Sequence, residues 1–148
     1  MRRLQQGVTI LELTITMALI ALLAGIATPA ISGYVERART NRAIGEIGRM
    51  TVALYSWRTN NGGVFPDALA DMGIDIDVDP WGNAYTYTNI DGGGGPARTD
   101  GGDPVNTDFD LYSSGPDGAT AASLRDADSA DDIVRARNGA YVGIASEY

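Results

Sequence analysis

The chain has 148 residues, enough for one modest domain and a membrane anchor but not for two globular domains. It contains neither cysteine nor histidine, which excludes disulfides, thiolate or imidazole metal sites, and catalysis by a Cys nucleophile or a His base. The formal net charge is -8, and residues 64–148 carry 16 acidic residues against 4 arginines. A part of the chain this acidic argues against a nucleic-acid partner, because such binding depends on clustered lysine and arginine.

The first predicted element is an N-terminal helix long enough to cross a bilayer. Residues 10–31 are apolar or weakly polar except for Glu12, and these 22 residues extend about 33 Å as an α-helix. The apolar run continues past the point where a secretory signal peptide would be cleaved, so we expect a retained single-pass anchor. Pro29 lies inside the run and predicts a kink.

Glu12 is the one charge in this apolar segment. An ionised carboxylate that faces lipid costs several kcal/mol, so we expect Glu12 to be paired, protonated, functional, or close enough to the interface to reach the headgroups. It stands five residues after Gly7 in the stretch GVTILE, which follows a short basic leader.

This stretch resembles the processing site of type IV prepilins, in which a basic leader ends in glycine and the fifth residue after the cut is Glu. The resemblance implies that a prepilin peptidase cleaves between Gly7 and Val8 and methylates the new amino terminus of Val8, where the family usually has Phe. It also implies that Glu12 pairs with the amino terminus of an adjacent subunit, and that the helix melts locally at Pro29 in the assembled filament. Breaking a buried pair costs about 3–5 kcal/mol, so this pair would fix the register between subunits.

The helix is predicted to continue into a soluble domain. Apolar side chains recur at alternating spacings of four and three residues, which is typical of an amphipathic helix; they are Ala43, Ile47, Met50, Leu54 and Trp57. The sequence NNGG at residues 60–63 is a strong stop signal. A short turn or helical segment is predicted to follow, with Asp67 as its candidate N-cap.

Two strands are predicted after this segment. The first covers residues 84–88, after a turn at Pro80 and Gly82-Asn83 in the motif DPWGNAYTY, and the second is FDLYS (residues 109–113). We expect them to pair in a small antiparallel sheet that packs on the apolar stripe of the helix. Residues 89–107 are rich in Gly, Asp and Pro and are predicted to be a surface loop; we call residues 92–102 the glycine-rich loop. The predicted fold class is therefore α+β, with a long helix packed on a small antiparallel sheet and an acidic loop near the C-terminus.

Three motifs narrow the resemblance. DPWGNAY, FDLYSSGPDG and ADDI, in this order, resemble the signature of the major pseudopilin of type II secretion, the G-type subunit. The likeness implies a pilin-like fold with a leader (residues 1–7), a transmembrane and filament-core helix (residues 8–34) and a globular domain (residues 35–148). The chain departs from the pattern in residues 125–129, in the large glycine-rich loop and in the tail at residues 135–148, which leaves a sister type IV pilin as the alternative.

The acidic loop, residues 113–133, carries five carboxylates and no lysine. Calcium binds six to eight oxygens, and carboxylates that crowd together without a cation repel one another. The resembled pseudopilins bind calcium here, and matching by motif assigns the side chains of Asp117, Asp131 and Asp132 and the backbone carbonyl of Ser114 as ligands. The part of Asp126 and Asp128, in the divergent stretch, is left open. The alternative is a solvated acidic loop without an ion.

The resemblance implies a structural subunit, and we expect no enzymatic activity. The subunit is expected in the bacterial inner membrane, with its C-terminal domain in the periplasm, and then in a periplasmic pseudopilus that drives protein export by type II secretion. Its expected partners are further copies of the chain, a prepilin peptidase, minor pseudopilins, an inner-membrane assembly platform, and membrane lipid before assembly. The alternatives are the major pilin of a surface type IV pilus and, in another class, a monomeric membrane-anchored calcium-dependent binding protein.

Overall fold

One helix, α1 (Ile10–Asn60), accounts for most of the first 60 residues of the chain. The structure, a computed structural model, describes residues 7–73 and 78–148, and for residues 27–30 it describes the backbone alone. The predicted leader therefore lies outside the described residues except for its last residue. The chain separates into two compact units, Met1–Ala38 and Arg39–Tyr148, and α1 contributes to both.

In the first unit, the apolar side chains of α1 are exposed. Ile10 is 83% exposed and Leu23 is 66% exposed. By length and composition, α1 is the one helix in the described part of the chain that could cross a membrane. The helix passes through Pro29 without a break, but the side chain of Pro29 lies outside the description, so local melting at this position stays a prediction.

The C-terminal end of α1 confirms the predicted stop signal. The helix ends at Asn60, and Gly62 and Gly63 follow with φ of 72° and 87°. This left-handed conformation favours glycine. The backbone N–H of Gly63 donates to the carbonyl of Arg58 at 2.9 Å, which closes the last turn.

The second unit contains six short strands in its described residues. They are β1 (Thr86–Asn89), β2 (Thr99–Asp100), β3 (Asp103–Pro104), β4 (Phe109–Ser113), β5 (Ile133–Ala136) and β6 (Tyr141–Ile144). Four of them form an antiparallel sheet in the order β1-β4-β5-β6, and β2 and β3 form a separate pair. The predicted pairing of the first strand with FDLYS is confirmed, with Thr86 opposite Tyr112 and Asn89 opposite Phe109.

The sheet is larger than the sequence predicts. The tail whose role the sequence leaves open supplies β6 and half of β5, and the glycine-rich loop contains β2. Successive residues of a strand point to opposite faces, and β5 is buried throughout because Ile133 joins one apolar cluster while Val134 joins another. A strand covered on both faces lacks the alternation of apolar and polar residues by which half-exposed strands are recognised.

The amphipathic stripe of α1 forms the main core, as predicted, except at Trp57, which is only partly buried and lies outside the core cluster. Ala43, Ile47, Met50 and Leu54 are at most 1% exposed. They pack with residues from the sheet and from the segments that lead into it: Phe65, Tyr85, Phe109, Leu111 and Ile133. Burying each large apolar side chain stabilises the fold by about 1.5–3 kcal/mol.

The predicted cap at Asp67 is wrong. The segment is a 3₁₀ helix, Leu69–Met72, and Ala68 occupies its N-cap position. The carboxylate that caps it comes from inside the turn, because Oδ2 of Asp71 accepts a hydrogen bond from the backbone N–H of Ala68 at 3.0 Å. A side chain three residues into a helix can reach back to its N-cap in this way.

Candidate functional site

The predicted cleavage position lies just before α1. Gly7, Val8 and Thr9 are outside the helix, and Val8 is 75% exposed. A peptidase can therefore reach the bond between Gly7 and Val8 without unwinding a helix. The hydroxyl of Thr9 accepts a hydrogen bond from the backbone N–H of Glu12 at 3.1 Å, so Thr9 caps the helix and defines its start.

Glu12 lies in the first turn of α1 and is exposed. A carboxylate is favourable in this position because the helix dipole is positive at its N-terminus. Within the described residues, no cation pairs with the Glu12 side chain.

Two of the predicted calcium ligands, Asp117 and Asp131, are brought together in the acidic loop. The backbone N–H of Asp117 donates to Oδ2 of Asp131 at 3.3 Å, and Oδ1 of Asp117 accepts from the N–H of Ala119 at 2.8 Å. Ser114 precedes Gly115, where a β-carbon would stand 2.5 Å from the carbonyl oxygen of Asp131. The turn after β4 therefore packs directly against Asp131.

Asp132 has a different environment, because it is completely buried. Its Oδ2 accepts hydrogen bonds from Nη2 of Arg98 at 2.6 Å and from the hydroxyl of Thr120 at 2.7 Å. Its Oδ1 is buried without a hydrogen-bond partner. Burial raises the pKa of the Asp132 carboxyl, and the hydrogen bonds from Thr120 and Arg98 act in the opposite direction.

The residues do not fit a complete calcium site as they are arranged here. Among residues 7–73 and 78–148, no three acidic side chains form a group that could hold a metal ion. Asp126 and Asp128 are exposed, in and beside the 3₁₀ helix Ala127–Ser129. Calcium requires six to eight oxygen ligands, and Oδ2 of Asp132 is already bonded to Arg98 and Thr120. Calcium binding stays a prediction.

The motif DPWGN holds the same turn from the other side. Oδ1 of Asp79 accepts hydrogen bonds from the backbone N–H groups of Trp81 and Asn83, at 3.0 and 2.9 Å. Its Oδ2 accepts from the hydroxyl of Ser113 at 2.5 Å, and Nδ2 of Asn83 donates to the carbonyl of Gly115 at 2.9 Å. Residues that lie 32 and 34 positions apart in the sequence are thus parts of one polar cluster.

Sequence reasoning missed Arg98. It lies in a segment predicted to be a surface loop, yet it is 7% exposed and bonds to Asp132 inside the acidic loop. Arginine is mostly exposed in proteins, and nothing in the glycine-rich surroundings of Arg98 distinguishes it from an ordinary surface residue. Only the folded structure shows that Arg98 is buried and paired.

Comparisons with known proteins agree with the features at the N-terminus. Residues 2–28 match the family model described as the prokaryotic N-terminal methylation motif. Type II secretion system core protein G of Pseudomonas aeruginosa is 27% identical, covering 86% of this chain and 94% of that protein. The core protein G of Escherichia coli is 27% identical, over 77% and 83%.

The chain is also similar to pilus proteins. The type IV major fimbrial protein FimA of Dichelobacter nodosus is 28% identical, covering 84% of this chain and 77% of that protein. No solved structure has significant similarity to the chain. A single apolar N-terminal helix and these relationships fit a membrane-anchored subunit. The chain therefore carries the N-terminal methylation motif and is similar both to proteins named as type II secretion core proteins and to proteins named as type IV fimbrial proteins.

Proposed function

We propose that this protein is a structural subunit that polymerises through α1 into the periplasmic pseudopilus of type II secretion. The observation that carries the proposal is the start of α1, where an exposed Gly7–Val8 bond precedes an exposed apolar helix, and where Glu12 has no cationic partner among the described residues. The similarity to core protein G supports the choice of filament, because it covers nearly the whole length of that protein.

The exposed apolar surface of α1 requires an apolar environment. Every large apolar side chain described between Val8 and Ile26 is more than half exposed. Such a surface is stable in lipid or against other apolar helices, but not in water. Before assembly this environment would be the bilayer, and in the filament it would be the same segment of neighbouring copies.

The Glu12 carboxylate needs a different partner in the membrane and in the filament. Near the membrane surface its carboxylate can reach the headgroups, whereas inside a bundle of helices it needs a cationic partner. The amino terminus created by cleavage before Val8 supplies one on each neighbouring copy. The pair would favour one register among those that apolar packing alone allows.

The remaining assignments follow from this role. The subunit would be anchored in the inner membrane with its C-terminal domain in the periplasm, and it would have no enzymatic activity. Its partners would be a prepilin peptidase, minor pseudopilins and an inner-membrane assembly platform. A surface type IV pilus is the second candidate, favoured by the similarity to FimA over most of the chain.

Two measurements on the full-length protein test the proposal. Co-expression with a prepilin peptidase should yield a mature chain that begins at methylated Val8, as measured by mass spectrometry, and short filaments in electron micrographs. A Gly7→Val variant, which blocks the cleavage site, should retain its leader and form no filaments. Processed protein that stays monomeric in the membrane would contradict the proposal and favour a monomeric anchored protein.

Deleting the gene in its host separates the two filament types. Loss of a secreted protein without loss of surface filaments favours the pseudopilus. Loss of surface filaments with normal secretion favours the pilus.

A further inference from the structure

Arg98 is a cation enclosed by the acidic loop. Its Nη2 donates to Oδ2 of Asp132 at 2.6 Å, to the hydroxyl of Ser129 at 2.9 Å and to the backbone carbonyl of Ala121 at 3.0 Å. Its guanidinium carbon lies 4.1 Å from the centre of the Tyr112 ring, at a distance typical of a cation–π contact. One nitrogen thus bonds to a carboxylate, a hydroxyl and a carbonyl, the kinds of oxygen that otherwise hold a hard metal ion.

The backbone of this arginine and of the residue after it is hydrogen-bonded to neighbouring segments. The N–H of Arg98 itself donates to Oδ2 of Asp110 at 2.6 Å. The next residue, Thr99, donates to the carbonyl of Ala122 at 2.9 Å and accepts from the N–H of Leu124 at 2.8 Å. These bonds leave the arginine little freedom to swing out of the acidic loop.

An exposed ion pair also joins the glycine-rich loop to the acidic loop. Nε of Arg125 lies 2.6 Å from Oδ1 of Asp100, and the Arg125 side chain is 70% exposed. The glycine-rich loop is therefore joined to the acidic loop by a buried pair, by backbone hydrogen bonds and by an exposed pair. This series of contacts is a structural role for an insertion that the sequence leaves without one.

We propose that Arg98 is the internal cation of the acidic loop, so that this loop is held in place without a bound metal ion. The glycine-rich loop holds Arg98 beside Asp132. The carboxylate of Asp132, which the sequence resemblance assigns to calcium, is instead compensated by the guanidinium. An arginine and a calcium ion that need the same carboxylate compete for it, which separates this proposal from the calcium prediction by experiment.

The first test uses the wild-type full-length protein in detergent. Its melting temperature, measured by circular dichroism, should be the same within about 2 °C in EGTA and in millimolar calcium chloride, and calorimetric titration with calcium chloride should detect no saturable binding. A ligand present at 100 times its dissociation constant would raise the melting temperature by about 8 °C. A calcium-dependent rise of more than about 5 °C, or saturable binding, overturns the proposal.

The second test compares two arginines. Arg98→Gln should lower the melting temperature by roughly 10 °C, because it leaves Asp132 buried and uncompensated. Arg125→Gln, which removes the exposed ion pair between the same two loops, should lower the melting temperature by about 2 °C or less. Equal effects of the two substitutions overturn the proposal.

A double variant covers the case in which Arg98→Gln does not fold. Removing both charges, with Arg98→Gln and Asp132→Asn together, should restore at least half of the loss in melting temperature, because no buried charge then lacks a partner. If Arg98→Gln is unfolded, a folded double variant supports the proposal. A double variant that is less stable than either single variant contradicts it.

Discussion

Arg135, which is buried, and Asp108, which is partly buried, form an ion pair through two hydrogen bonds, of 2.9 Å from Nη1 to Oδ1 and 2.6 Å from Nη2 to Oδ2. The hydroxyl of Tyr55 in α1 donates to Oδ2 of Asp108 at 2.7 Å and accepts from Nη2 of Arg135 at 3.1 Å. The guanidinium also lies 3.9 Å from the centre of the Phe109 ring. One arginine on β5 thus connects the helix to two strands of the sheet.

Removing this arginine should destabilise the protein strongly. Arg135→Met leaves the Asp108 carboxylate without its cation, and we expect the free energy of unfolding to fall by about 3–5 kcal/mol. Arg137→Met is the matched control, because Arg137 is exposed and its main contact is the ring of Tyr148; it should cost less than about 1 kcal/mol. Urea denaturation of both variants measures the difference, and a loss below about 1 kcal/mol for Arg135→Met would show that the pair contributes little.

Asp108 and Asp110 should respond to pH in opposite directions. Burial alone would raise both pKa values, but hydrogen bonds from Arg135 and Tyr55 hold the pKa of Asp108 below its usual range. For Asp110, burial outweighs the hydrogen bonds from the Arg98 backbone and Asn106, so its pKa is raised. The Asp108 contribution to stability is complete above about pH 4 and is lost as pH falls through its lowered pKa. The Asp110 contribution is complete below about pH 4 and is lost as pH rises through its raised pKa.

Two asparagine variants measure these contributions. The stability difference between wild type and Asp108→Asn should shrink as pH falls below about 4. The difference between wild type and Asp110→Asn should shrink as pH rises above about 4. Unfolding free energies from urea titrations between about pH 3 and 7 provide the data. If both differences change in the same direction, the assignment of the two carboxylates is incorrect.

Glu12→Ala should abolish filament assembly while membrane insertion and processing continue. Loss of a partner for the neighbouring amino terminus costs about 3–5 kcal/mol for each interface, which corresponds to a factor of at least about 100 in assembly. Glu12→Gln should fail as well, because it retains the shape of the side chain but not the charge. Thr16→Ala is the control, since its hydroxyl bonds only within the helix, to the carbonyl of Leu13. Normal filaments from Glu12→Gln would eliminate the pairing as the basis of register.

Gly115→Ala should disrupt the turn after β4. Gly115 has φ of 65°, and an added β-carbon would stand 2.5 Å from the backbone oxygen of Asp131. Gly62 has φ of 72° but open space around its α-carbon, so Gly62→Ala reports the cost of the left-handed conformation alone, about 1–2 kcal/mol. We expect Gly115→Ala to cost at least about 3 kcal/mol. Equal unfolding free energies for the two variants, from urea denaturation, would mean that the turn can move away from Asp131.

Local patterns in the chain are enough to predict α1, and they indicate the candidate processing site before it. The spacing of Ala43, Ile47, Met50 and Leu54 encodes a helix face, and the NNGG sequence encodes its end, because both signals depend on neighbours within one or two turns. The distance from Gly7 to Glu12 is likewise a local feature. The first strand pair was also predictable, from the alternating side chains around Tyr85 and Tyr87, although β4 itself is buried at four of its five residues.

The partners of the buried charges depend on the folded chain. Arg98 meets Ser129 and Asp132 across 31 and 34 positions of sequence, and Arg135 meets Tyr55 across 80. No local sequence pattern indicates contacts between residues so far apart in the chain. An arginine in a glycine-rich loop has the same sequence surroundings as an arginine on the solvated surface. The sequence therefore predicts where carboxylates cluster along the chain. Which cation compensates each carboxylate is determined by the tertiary structure, because a buried charge is stable only beside the partner that the fold brings to it.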